Sequence, residues 1–205
     1  MKSKRYFAAV LCLAALTGCS KAPEVTTAPP KDEKSPEQYR VTLDTSKGPV
    51  VVEVHREWAP LGSDRFYTLV KANYLDGAHF FRVIPGFMAQ FGLAADPLVT
   101  ARWKGTELPD DPKSQSNTRG MVTFATAGAN TRTTQLFINY GDNSRLDDKG
   151  FTPFGRVVSG MEAMDAINSR YRESPNQGSI KAEGNTYLDR DFPGLDLIKS
   201  AKLGG

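Results

Sequence analysis

The order of elements in this 205-residue sequence predicts a mainly β fold: a closed antiparallel eight-stranded barrel capped by two α-helices. Three observations lead there. Short apolar, strand-like runs recur through the chain, separated by turn-rich connections such as "AGANTRTT" and "GDNSRLDDKG". Two segments carry helical spacing, one directly after an opening hairpin and one late in the chain. Strands and helices do not alternate, which argues against a parallel βαβ sheet.

The chain opens with "MKSKRYFAAVLCLAALTGCS", a basic start, an apolar run from Tyr6 to Leu16 and a small-residue exit. That pattern predicts a secretory signal over residues 1–18, too short to span a bilayer. Its exit, "LTGC" from Leu16 to Cys19, resembles a bacterial lipobox, which implies cleavage before Cys19 and lipidation of its thiol. The only two cysteines are Cys12, inside the apolar run, and Cys19. The processed chain is therefore left with no disulfide, thiol nucleophile or thiolate metal site.

Residues 19–37 read as a disordered, Pro-rich tether behind the lipidated cysteine. From Ser20 to Glu37 the segment holds four prolines, many charges and only Val25 as a sizeable apolar residue. Fully extended, it reaches roughly 50 Å at ~3.1 Å per residue.

A single domain is expected over 38–205. "YRVTLDTSKGPVVVEVH" alternates Val41 and Leu43, turns at Ser-Lys-Gly and continues from Val50 to Val54, a β-hairpin. "APLGSDRFYTLVKANYLDG" follows as a helix, with Phe66, Leu69, Val70 and Asn73 in phase, Pro60 near its start and Gly77 past its end. The next strands are "HFFRVI", "FMAQFG", "GMVTFAT", "QLFINY" and "FGRVV". A second helix, "GMEAMDAINSRY", turns Met161, Met164, Ala166 and Ile167 to a core, and "LDLIKSAKL" closes the domain as a last strand.

Composition and charge exclude several functions. Without Lys2, Lys4 and Arg5, the 26 basic residues fall to 23, matching the 23 acids. A neutral body argues against nucleic acid as partner. The two histidines, His55 and His79, stand alone and far apart, which gives no metal site. No G-x-S-x-G elbow and no phosphate-cradling glycine loop follows any strand. Hydrolysis, phosphoryl transfer and hydride transfer all lack their parts, and no cofactor is implied.

What remains is an apolar groove containing a few fixed polar groups. "FFRVIPGFMAQFG", Phe80 to Gly92, sets one charge, Arg82, among four phenylalanines. Regular strand alternation cannot put Phe87 and Met88 on one face. The Pro85-Gly86 turn breaks the register and lets residues 87–90 meet Arg82.

This stretch closely resembles the central motif of the cyclophilins, the cyclosporin-type peptidyl-prolyl cis–trans isomerases. "FATAGANTRTTQLFIN", Phe124 to Asn139, is similar to their second motif, and "RLDDKGFTPFGRVVSGM" to their third. The resemblance covers roughly 38–170 and the last strand, and it implies a cyclophilin-like barrel. It implies further that Arg82 is the catalytic arginine and that Gln90 braces it and reads the substrate backbone. Phe87, Met88, Phe137 and Leu146 would hold the proline ring, with Phe151 at the family's pocket histidine. Ala125, Thr126, Ala127 and Gln135 would line the groove for residues before the proline.

The resemblance also marks departures. Phe81 replaces the histidine usual before the arginine, and Arg145 stands where many eukaryotic members carry tryptophan. "KGFTP" is one residue longer than the common loop. "DPLVTARWKGTELPDDPKSQSN" lacks the family's glycine-rich loop, and an insertion spans about 171–194. The implied activity is isomerisation of X–Pro bonds in proline-containing polypeptides, with a proline-binding chaperone or assembly module as the alternative. A lipid-anchored monomer on the periplasmic side of the outer membrane is the expected setting, since Ser20 follows the cysteine as in outer-membrane sorting.

Overall fold

The computed structural model describes residues 28–204. The segment expected to be a signal, Cys19 and the first part of the expected tether lie outside the described residues. Within them, eight strands form one antiparallel sheet: β1 (Gln38–Thr45), β2 (Gly48–His55), β3 (Arg82–Ile84), β4 (Met88–Phe91), β5 (Met121–Phe124), β6 (Leu136–Asn139), β7 (Pro153–Ser159) and β8 (Ile198–Gly204). Their lateral order is β3-β4-β6-β5-β7-β2-β1-β8. The inward positions of the first hairpin, Val41, Leu43, Val50, Val52 and Val54, are all fully buried. Alternation of this kind pins the register, because a slip of one residue would turn the valines to water.

The sheet is an open half-barrel, which corrects the closed barrel expected from the sequence. Its edges are β3, only three residues long, and β8. The stretches preceding those edges meet at one bridge, His79 to Leu197. Backbone bonds Gly77 N–H to Ile198 O (2.7 Å) and Phe80 N–H to Asp196 O (2.9 Å) flank it. A short β3 cannot carry a full ladder, so the seam stays irregular.

More helices form than the two expected. α1 (Pro60–Lys71) follows its apolar spacing and buries Phe66, Leu69 and Val70. Asn73 lies beyond its end in the left-handed region, at φ 52°. α2 (Pro97–Arg102), not expected from the sequence, forms in the stretch that lacks the family's glycine-rich loop and is capped by Asp96, whose Oδ1 accepts from the Leu98 N–H at 2.8 Å. α3 (Met161–Asp165) is shorter than expected, leaving Ala166 exposed while Met164 and Ile167 reach the core. Past it, Asp196 accepts from the Asn168 N–H at 2.6 Å and draws the chain away. The insertion folds into α4 (Gln177–Glu183) and α5 (Asn185–Asp191).

The end of the tether is docked rather than loose. Arg65 of α1 is 4% exposed, and its Nε donates to Asp32 at 2.7 Å. Ser35 is buried, its N–H on Asp64 at 2.9 Å, and Glu33 pairs with Lys71 at 2.6 Å. A charged composition signals disorder only where no complementary charges await it. Here α1 supplies them.

Candidate active site

The β3–β4 hairpin sets Arg82 opposite Gln90, Val83 opposite Ala89 and Ile84 opposite Met88. Pairing of β4 with β6 extends the row, with Gln90 opposite Phe137. Opposed residues share a face. Val83, Ala89, Phe91, Leu136 and Ile138 accordingly enter the core, and Arg82, Met88, Gln90 and Phe137 project from the other side of the sheet. Phe87 escapes the alternation because it sits in the turn, where Gly86 adopts φ 73°.

These side chains line a pocket of about 220 Å³ together with Ala125, Thr126, Leu146, Phe151 and Gln177. Phe137 and Phe151 meet edge to face with ring centres 5.8 Å apart. Gln135 lies next door, lining a groove of about 380 Å³ with Trp103 and Thr134, and its Oε1 accepts from Gln90 Nε2 at 2.8 Å. Gly92 makes that approach possible, since a Cβ there would collide with the Thr134 carbonyl oxygen. Ala127 lines neither cavity. Its N–H caps a turn by donating to Thr131 Oγ1 at 2.9 Å, and its side chain is exposed, so it stands outside both cavities.

A buried polar network holds the pocket's far wall. Asn143 Nδ2 donates to the Phe87 carbonyl (2.8 Å) and to Asn139 Oδ1 (2.7 Å). Asn139 Nδ2 reaches Asn117 Oδ1 at 3.2 Å, and Asn117 Nδ2 reaches Asp147 Oδ1 (2.9 Å) and the Phe151 carbonyl (2.7 Å). Asn117 and Asn139 are fully buried, so each unmade bond would carry a desolvation cost. Burial pushes the Asp147 carboxyl up. Hydrogen bonds from Ser116 and Asn117 outweigh burial and bring it below the usual carboxylate range.

The polar end of the pocket is Arg82. Its Nη1 donates to Gln90 Oε1 at 3.4 Å, while Nε and Nη2 donate to Glu173 Oε2 at 3.2 and 3.0 Å. Two guanidinium groups approach Phe87, Arg145 at 5.0 Å and Arg82 at 5.9 Å from the ring centre. Arg145 thus sets a charged guanidinium, rather than a flat aromatic wall, against the Phe87 ring outside the pocket lining.

Glu173 and Gln177 were not foreseen. Both come from the insertion, and nothing in its sequence marks which residues return to the site. One signal was present: Phe81, in place of histidine, is an apolar residue that needs a cover. It is 1% exposed and packs in a second small core with Leu93, Ile180, Tyr187, Leu188 and Leu195. The departure at Phe81 and the insertion are one feature. The two histidines lie elsewhere: His55 stacks on Trp58 (4.1 Å, 13°), and His79 is buried against Asn185.

The sequence matches the family model for cyclophilin type peptidyl-prolyl cis-trans isomerases over residues 40–184. It is 34% identical over 180 residues to peptidyl-prolyl cis-trans isomerase A of Dickeya dadantii, spanning 84% of this chain and 88% of that protein. It is 36% identical over 169 residues to peptidyl-prolyl cis-trans isomerase ppi1 of Schizosaccharomyces pombe, spanning 80% and 98%. The fold is similar to the crystal structure of a cyclophilin type isomerase from Cryptosporidium parvum. The TM-score is 0.62 at 22% identity, covering 82% of this chain and 98% of that one. The same protein has been solved in the presence of the dipeptide Ala-Pro, again with TM-score 0.61. A hairpin-borne arginine over an apolar pocket, the half-barrel behind it and these likenesses agree: the chain belongs to the cyclophilin-type peptidyl-prolyl cis-trans isomerases.

Proposed function

We propose that this isomerase acts on X–Pro bonds of polypeptides folding in the cell envelope, with Arg82 as its catalytic donor. The observation that carries the reading is that Arg82 is the one charged residue lining an otherwise mostly apolar pocket. Twisting an X–Pro bond loses amide resonance, a barrier of about 18–20 kcal/mol, and breaks no covalent bond. No nucleophile or acid–base pair is needed. In the twisted state the imide nitrogen regains its lone pair and accepts a hydrogen bond, which the permanently charged guanidinium can donate. Phe87, Met88, Phe137, Leu146 and Phe151 exclude water and seat the proline ring, so the bond is strongest in the twisted form. An acceleration of roughly 10⁵-fold needs about 7 kcal/mol at about 1.36 kcal/mol per tenfold. One charge-assisted bond in a dry pocket, added to binding, is of that order.

The test is peptide isomerisation by the full chain and its Arg82→Ala variant. A loss of at least roughly 10²-fold in kcat/KM is expected, since one well-placed donor supplies about 2.7–4 kcal/mol. A folded variant that keeps the wild-type rate overturns the assignment.

The envelope setting rests on the signal-like start and the lipobox at Cys19. Asp32 is held on α1, so Ser20 to Lys31 separate Cys19 from the docked segment, a span of at most roughly 40 Å at ~3.1 Å per residue. Cys19→Ala should release the protein from membranes; identical soluble fractionation of both forms overturns the anchor.

A further inference from the structure

We infer that Glu173, in the insertion, is a positioning residue for the isomerase reaction: it fixes the guanidinium of Arg82 from the side away from Gln90. This rests on Arg82 being the catalytic donor. Gln90 is a weak brace by itself. Its oxygen stands 3.4 Å from Nη1, and its amide is already committed to Gln135 at 2.8 Å. Glu173 accepts two shorter bonds, from Nε and Nη2 at 3.2 and 3.0 Å. A guanidinium has five N–H donors in a rigid plane. Three are occupied by these bonds, which holds the plane and leaves two for the substrate.

Glu173 does not meet Arg82 by chance of a loose surface loop. The neighbouring Arg172 carbonyl accepts from the Val83 N–H at 3.0 Å, on the free edge of β3 and one residue from Arg82. Arg172 adopts φ 49°, a left-handed conformation that non-glycine residues rarely take without tertiary support. On the far side, Gln177 lines the proline pocket and Ile180 is buried under Phe81. The loop is thus pinned before and after Glu173. The carboxylate is 63% exposed, so water screens its charge and the field of Arg82 at the pocket is little reduced. What it contributes is orientation.

The experiment compares the full chain with Glu173→Ala, Glu173→Gln, Arg82→Ala and the Arg82→Ala/Glu173→Ala pair, with folding checked by near-UV circular dichroism. Glu173→Ala is expected to lower kcat about three- to fivefold at nearly unchanged KM, the scale of one exposed ion pair. Glu173→Gln keeps the accepting oxygen and should recover most of that loss. On the Arg82→Ala background, Glu173→Ala should change nothing further. An Ala variant as fast as wild type, or faster, overturns the inference. So does equal loss for Ala and Gln, or an undiminished loss without Arg82. Should Arg82→Ala itself keep the wild-type rate, the catalytic role of Arg82 fails first. If only Arg82→Ala is slow, the Glu173 role alone fails.

Discussion

Arg82 and Gln90 are direct cross-strand partners, and the arginine Nη1 lies 3.4 Å from the glutamine oxygen. Register, not sequence proximity, makes the pair. The same row carries on through Gln90 to Phe137 and, by one side-chain bond, to Gln135. Removing Gln90 therefore cuts the link between Arg82 and the groove lined by Gln135. Gln90→Ala should lower kcat/KM by about tenfold, the low end for a hydrogen bond to a charged group. Arg82→Lys should lose more, because it keeps charge but not the planar fork. Steady-state isomerisation kinetics on one X–Pro peptide would rank the two, and the reverse order would argue against the donor role.

Phe81 ties the insertion to the hairpin. Phe81→Ala empties the centre of the small second core and should destabilise it by about 3–5 kcal/mol. The loss should be local. Hydrogen exchange should show α4 and α5 opening first while the β1–β2 hairpin stays protected. Uniform loss of protection across the chain would show that the second core is not a separate unit.

Arg145, which the motif resemblance sets where many eukaryotic members carry a tryptophan, holds its guanidinium 5.0 Å from the Phe87 ring centre. It offers no indole N–H and no flat wall to an apolar macrocycle. Inhibition by cyclosporin should be noticeably weaker than for members with the tryptophan, and Arg145→Trp should strengthen it. Titration of the inhibitor against both proteins decides the matter, with unchanged inhibition of a folded variant counting against Arg145.

Glu53 sets an acid limit on stability. Hydrogen bonds from Arg40 and then Arg156 hold its carboxyl at about 2, against an ordinary 4.5 and in spite of burial. A depressed carboxylate stabilises the fold above its unfolded value and loses that contribution as pH falls through the window from about 4.5 to about 2. Glu53→Gln should melt lower than wild type at pH 7, with the gap closing below pH 4. Thermal unfolding at a series of pH values tests this, and a constant gap would place the titration elsewhere.

The sequence by itself determined the hairpin, α1, the strand order along the chain and the motif residues that line the candidate pocket. Alternating valines, a Pro at the helix start and three motifs in sequence are local signals, and each reads without knowledge of the rest. Nine expected site residues meet in one pocket because strand pairing brings separated motifs to one face. Other features depended on partners distant in the chain. The sheet stays open because β3 is short and its edge meets Arg172. Asp32 docks because Arg65, 33 positions later, is buried and needs a counter-charge. Glu173 reaches Arg82 across 91 positions because Phe81 anchors the insertion beside β3. No periodicity encodes such pairings, since each is set by two surfaces that exist only once the chain has folded; the sequence could name the catalytic candidate, and only tertiary structure could decide what holds it.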